Sequence, residues 1–106
     1  MRVLPDECLP RKLKRQLPGH TVSTVPEMGW AGIKNGALLR LAEPAFDVFL
    51  TIDGNLEYQQ NLRSMGLAIV VLAAADNTFD TLSPLMTQVM TALSTIQPGE
   101  RVRIQA

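Results

Sequence analysis

The stretch that decides the fold is Gly66-Leu67-Ala68-Ile69-Val70-Val71-Leu72-Ala73-Ala74-Ala75. From Ala68 to Leu72 every position is apolar. The run shows neither the alternation of a strand wetted on one side nor the three-to-four spacing of an amphipathic helix. Such a segment is expected to be a strand buried on both faces of a parallel sheet. Taken whole, it is about half of what a membrane-spanning helix needs.

Working outward, Phe79, Leu82, Met86, Val89 and Leu93 recur at steps of three and four, which predicts a long amphipathic helix. Ser83-Pro84 has the form of an N-cap followed by a first-turn proline, so a short turn is expected before the helix's true start. Pro98-Gly99 then turns the chain into a last strand, Arg101 to Ile104. Upstream, Val48 to Ile52 reads as a strand closed by Asp53-Gly54, and Leu56 to Met65 as a weaker helix. Arg2-Val3-Leu4 opens the chain as a strand ending at Pro5-Asp6. Leu9, Leu13 and Leu17 form one stripe of a helix that Pro18-Gly19 stops. Thr21 to Val25 is a β-branched strand closed by Pro26, and Asn35 is placed to cap a helix carrying Leu38, Leu41 and Ala42.

Strands thus alternate with helices along the chain. The fold class expected is α/β, a compact three-layer α/β/α sandwich with a mainly parallel sheet and right-handed crossovers. Residues 1–106 are read as a single domain, since a chain of 106 residues supports one core. Lys+Arg and Asp+Glu number 10 each, so no global field draws the molecule to nucleic acid or an anionic membrane, and any such contact needs a local patch. Cys8 is the only cysteine, which excludes an intrachain disulfide. With Asp6 and Glu7 interrupting any signal peptide and no apolar span, a cytoplasmic location without membrane contact is expected.

In open parallel sheets the functional crevice lies beyond the carboxyl ends of the strands, where strand order reverses. Asp6 and Glu7 follow the first predicted strand, Glu27 the second and Asp53 the third. In the order 2-1-3-4-5 the first and third strands are neighbours, so Asp6 and Asp53 should converge. A divalent cation would hold two such carboxylates ionised, and hard oxygen donors suit Mg²⁺ or Mn²⁺. The plainer reading makes Asp6 a cap of the Leu9–Leu17 helix and Glu27 a loop carboxylate. Asp47 lies at the opposite strand end and is left out. Arg11, Lys12, Lys14 and Arg15 form a basic face suited to a phosphate backbone or simply to solvent. Cys8 reads as a buried structural thiol, His20 as an exposed turn residue, and Trp30 as a ring that packs under its loop or stacks on a base.

With these residues in place, the chain resembles the small PIN-like domains of predicted bacterial toxin–antitoxin toxins. The resemblance rests on Arg2-Val3-Leu4-Pro5-Asp6-Glu7-Cys8-Leu9-Pro10 and on Gly19 to Gly32, which includes Val25-Pro26-Glu27-Met28-Gly29-Trp30. It continues through Leu38-Leu39-Arg40-Leu41-Ala42 and Phe49-Leu50-Thr51-Ile52-Asp53-Gly54-Asn55-Leu56. It implies Mg²⁺- or Mn²⁺-dependent cleavage of RNA, with Asp6, Asp53 and Glu27 as the catalytic acids and Asp6 and Asp53 on the ion. Glu7 and Asn35 would assist, and the partners implied are an RNA substrate and a cognate antitoxin, with self-association as a further possibility. The chain departs from the family at Asn35, where Asp is usual, at Asn55-Leu56, where a second acid and an aromatic are common, and at Pro5, where an aliphatic residue is usual. Those departures support an alternative, a catalytically weakened PIN-like protein that binds an antitoxin or itself. A phosphoacceptor receiver domain is rejected, because Leu72-Ala73-Ala74 and Val102-Arg103-Ile104 lack its hydroxyl and lysine.

Overall fold

The computed structural model describes residues 1–52, 54 and 66–105. The strands are β1 (Arg2–Pro5), β2 (Thr21–Val22), β3 (Val48–Thr51), β4 (Ala68–Ala73) and β5 (Arg101–Gln105). The helices are α1 (Asn35–Ala42), α2 (Phe79–Leu82) and α3 (Met86–Leu93), with 3₁₀ segments at Arg11–Gln16 and Ser83–Leu85. The expected helix Leu56–Met65, together with Asp53 and Asn55, lies outside the described residues.

All the strand pairings among the described residues are parallel, and the order is β2-β1-β3-β4-β5. This is the order expected from the sequence. The pleat of β4 explains why its residues are apolar without exception. Val70 and Leu72 point into one cluster with Leu13 and Leu17 of the 3₁₀ region and Leu82, Val89 and Leu93 of the last helices. Ile69 and Val71 point the other way, into a cluster with Leu38, Leu39 and Ala42 of α1. Each face of the sheet therefore has its own apolar cover, and each fully buried large side chain contributes about 1.5–3 kcal/mol relative to exposure.

Local sequence shifts several element bounds. The Leu9–Leu17 segment forms a 3₁₀ helix, not an α-helix. Pro10 is its N-cap and Pro18 follows Leu17, leaving six residues in the helix. Leu13 N donates to Pro10 O and Leu17 N to Lys14 O, both three-residue closures, and so short a span has little room to propagate four-residue bonds. Strand β2 stops at Val22 because Thr24 and Val25 begin a turn in which Met28 N donates to Thr24 O. Asn35 is the first residue of α1, and Lys34 occupies the cap. The long helix does open with a separate turn. Thr78 caps α2, accepting from Thr81 N, and Pro84 sits in the 3₁₀ segment before α3.

Pro5 fits β1 without loss. Asp6 N donates to Leu50 O of β3, and Ser23 N donates to Val3 O on the other side. Strand alternation then points the position of Pro5's missing N–H toward the β2 side, where that strand has already ended. Among the described residues, no helix is long and apolar enough to cross a membrane.

A carboxylate cleft beside a basic hollow

Register brings the first components of the candidate site together. Pro5 pairs with Leu50, so the carboxyl ends of β1 and β3 lie level. Thr51 Oγ1, wholly buried, donates to Asp6 Oδ2 at 2.8 Å, and Glu7 N donates to Asp6 Oδ1 at 2.7 Å. The half-buried carboxylate is thus held by neutral donors, and among the described residues it has no ion-pair partner. Its side chain does not cap the helical segment that follows, since that role falls to Pro10. Asp53 lies outside the described residues; among those described, the β3 side chain bonded to Asp6 is that of Thr51, two positions earlier.

The other two acids are held differently. Glu7 accepts from Gly32 N at 3.2 and 3.3 Å, fastening the loop after β2 to the end of β1. Gly32 has φ of 82°, a left-handed conformation that a side chain disfavours. Glu27 Oε1 accepts from Thr24 N at 2.8 Å while Glu27 N donates to Thr24 Oγ1 at 3.3 Å. This reciprocal pair is a capping box. Lys14 Nζ adds contacts to Glu27 at 3.0 and 3.1 Å. The Thr24 N–H and the Lys14 ammonium together hold the Glu27 carboxyl down to about 2. At neutral pH it is a committed anion and a poor proton acceptor.

Asp6, Glu7 and Glu27 line one cleft of about 200 Å³ beyond the ends of β1 and β2, with Leu9, Arg11, Thr24 and Pro26 completing its wall. A second hollow of about 490 Å³ is lined by Arg11, Lys12, Lys14, Arg15 and Glu27. Arg11 and Glu27 belong to both, so acidic cleft and basic hollow adjoin. A polyanion lying along the basic hollow would run past the carboxylates of the cleft. Asn35 lines neither space.

Mg²⁺ and Mn²⁺ favour carboxylate oxygens, which Asp6 and Glu7 provide. Among the described residues, however, no group of three or more His, Cys, Asp or Glu side chains is placed to hold a metal ion. Glu27 is already matched by Lys14. The described residues alone do not complete a metal centre, and the expectation turns on Asp53.

The remaining candidates separate cleanly. Cys8 is exposed, contrary to the expectation of a buried thiol, because it belongs to the turn after β1 and not to a packed element. His20 is half-buried, with Nδ1 3.2 Å from the N-terminal ammonium; burial first and that charge second lower its pKa. Trp30 packs edge-on against Phe46, ring centres 6.0 Å apart, at the margin of the α1 cluster. Sequence reasoning missed Thr51 as the anchor of Asp6 and missed the Thr24–Glu27 box. The latter was legible as Thr-x-x-Glu but hidden by extending the strand through Val25.

Comparison with protein-family models, with curated proteins and with solved structures finds no match for this chain.

Proposed function

We propose that the chain is a cytoplasmic PIN-like ribonuclease of the toxin–antitoxin kind, a three-layer α/β/α domain that cleaves RNA at the cleft beyond β1. The observation that carries this reading is the continuity of the two spaces. A carboxylate anchored by neutral donors opens onto a cleft that shares Arg11 and Glu27 with a four-cation hollow. Arg11, Lys12 and Arg15 would grip phosphates, and Lys14 would hold Glu27 out of the way as an anion. Asp6 and Asp53 would hold Mg²⁺ or Mn²⁺, whose chemistry is to neutralise charge building on the phosphodiester. Thr51 and the Glu7 N–H fix Asp6 in one orientation, so its oxygens are presented without reorganisation. A cognate antitoxin would restrain the activity.

The test is Mn²⁺ titration by calorimetry together with cleavage of a structured RNA, for wild type, Asp6→Asn and Asp53→Asn. The expected result is saturable heat and cleavage in wild type, with cleavage reduced at least about 100-fold in either variant while circular dichroism is unchanged. Background heat and uncut RNA in wild type would overturn the nuclease reading.

That outcome belongs to a second reading, a binding protein without catalysis. It is favoured by the Lys14–Glu27 pairing, which removes one acid from the cluster. RNA would then bind at low salt through the basic hollow, with affinity falling steeply as salt rises, and would stay intact.

A further inference from the structure

The 3₁₀ segment Arg11–Gln16 closes a turn about every three residues, which sorts its side chains into three rows. Leu13 and Gln16 form the inward row: Leu13 is buried, and Gln16 Oε1 accepts from Ser83 Oγ at 2.7 Å. Arg11 with Lys14, and Lys12 with Arg15, form the other two, and all four line the basic hollow. Along each row the two cations are one turn apart, about 6 Å of rise. Charges spaced in this way suit a ligand whose own charges are spaced along a chain.

The four cations are not equivalent. Among the described residues Arg11, Lys12 and Arg15 have no ion-pair partner, whereas Lys14 Nζ lies 3.1 and 3.0 Å from Oε1 and Oε2 of Glu27. Glu27 is itself aimed by the turn beyond β2, where Thr24 N donates to its Oε1 at 2.8 Å. The carboxylate therefore fills the seat on Lys14 that a phosphate oxygen would take. Both side chains are 39 % exposed, so a competing anion can reach the pair from solvent. With its carboxyl held down to about 2, Glu27 stays charged at neutral pH, and protonation does not release the lysine there.

We propose that Glu27 is a resident competitor for the Lys14 seat and thereby sets how many phosphates the basic hollow engages. The inference rests on the reading of that hollow as the grip on the RNA backbone, and it adds which cations are free to act. Arg11, Lys12 and Arg15 carry the strand. Lys14 contributes little net, because a phosphate gained there displaces a carboxylate already held. A neutral group at position 27 turns this three-cation site into a four-cation one. Glu27 is then a residue that limits affinity for polyanions, not a catalytic one.

The probe is a labelled oligouridylate decamer, bound with EDTA present so that the strand stays intact, and followed by fluorescence anisotropy over a range of KCl. For a single strand the slope of log K against log salt is about −0.7 per phosphate neutralised. Wild type is therefore expected near about −2.1, for three contacts, and Glu27→Gln near about −2.8, for four. Glu27→Gln should also bind about fivefold more tightly at moderate salt. Glutamine keeps an acceptor for Thr24 N, so the turn beyond β2 is retained. The double variant Lys14→Met/Glu27→Gln should return to the wild-type slope and to within about twofold of its affinity, since it deletes a pair that was already internal. The wild-type slope needs no variant, so the proposal stays exposed even if a substituted protein fails to fold. A wild-type slope near about −2.8, no gain in Glu27→Gln, or a double variant about fivefold weaker than wild type would each overturn the proposal and leave the RNA-binding reading standing. Absence of binding by both wild type and Glu27→Gln would overturn that reading and the proposal together.

Discussion

The two ends of the β1–β3 pair each carry an aspartate, and the two aspartates do opposite things. At the amino end Asp47 accepts from Arg2 N at 2.7 Å and from its guanidinium at 3.2 and 3.4 Å. The guanidinium first, and the backbone N–H second, hold the Asp47 carboxyl below its ordinary range. At the carboxyl end Asp6 meets a hydroxyl and a backbone N–H, with no ion-pair partner among the described residues. One carboxylate is matched where it stands. The other meets neutral donors alone among the described residues. The sign of the partner, more than burial, separates the two.

The bluntest way to break this contrast is to damage the strand between the two ends. Phe49 is wholly buried, in register with Leu4 and Ile69. Phe49→Ala should cost about 3–5 kcal/mol, measured by urea unfolding, and should loosen both ends together. A finer cut removes only the anchor of Asp6. Thr51→Val keeps the side-chain shape and deletes the hydroxyl, so it should cost about 1 kcal/mol. Under the proposed nuclease reading its larger effect falls on RNA cleavage; equal cleavage in Thr51→Val and wild type would show that the anchor does not position Asp6. Asp47→Asn should have the smallest effect. Both side chains are substantially exposed, so about 0.5 kcal/mol is expected, with cleavage unaltered.

The pH dependence gives that last prediction a sign. Because the folded-state value of Asp47 is lowered, its contribution is present above the unfolded value near 3.8 and is lost as pH falls through the lower folded value. Wild type and Asp47→Asn should therefore differ in urea midpoint at neutral pH and converge in acid, once the pH is below the lowered folded-state value. A difference that persists in strong acid would assign the effect to packing.

Much of the architecture was legible because burial on both faces leaves an unmistakable composition. Ala68 to Leu72 reads as an interior strand, and Asp6 and Glu7 follow β1 as the sequence placed them, while the expected meeting of Asp6 with Asp53 lies outside the described residues. What was not legible depended on short-range competition. The stripe Leu9, Leu13, Leu17 has α-helical spacing, yet prolines at both margins leave room for a 3₁₀ segment only. Asn35 has the chemistry of a cap but stands one position inside the helix. Lys14 was read as one of four cations on a face, whereas it neutralises Glu27 from 13 residues away. No periodicity encodes such a pairing, because it exists only after the turn beyond β2 has formed.

The parallel ladder also constrains how the chain acquires its shape. Among the described residues no hairpin is available to seed the sheet. Arg2 must find Asp47 across 45 residues before the central pair exists, and β4 gains its outer neighbour only when the last strand arrives. Closing long loops in advance of any reward slows the search. During synthesis, the hydrophobic β4 segment must wait with one flank bare until β5 has emerged, an interval in which it is exposed to aggregation and to chaperones.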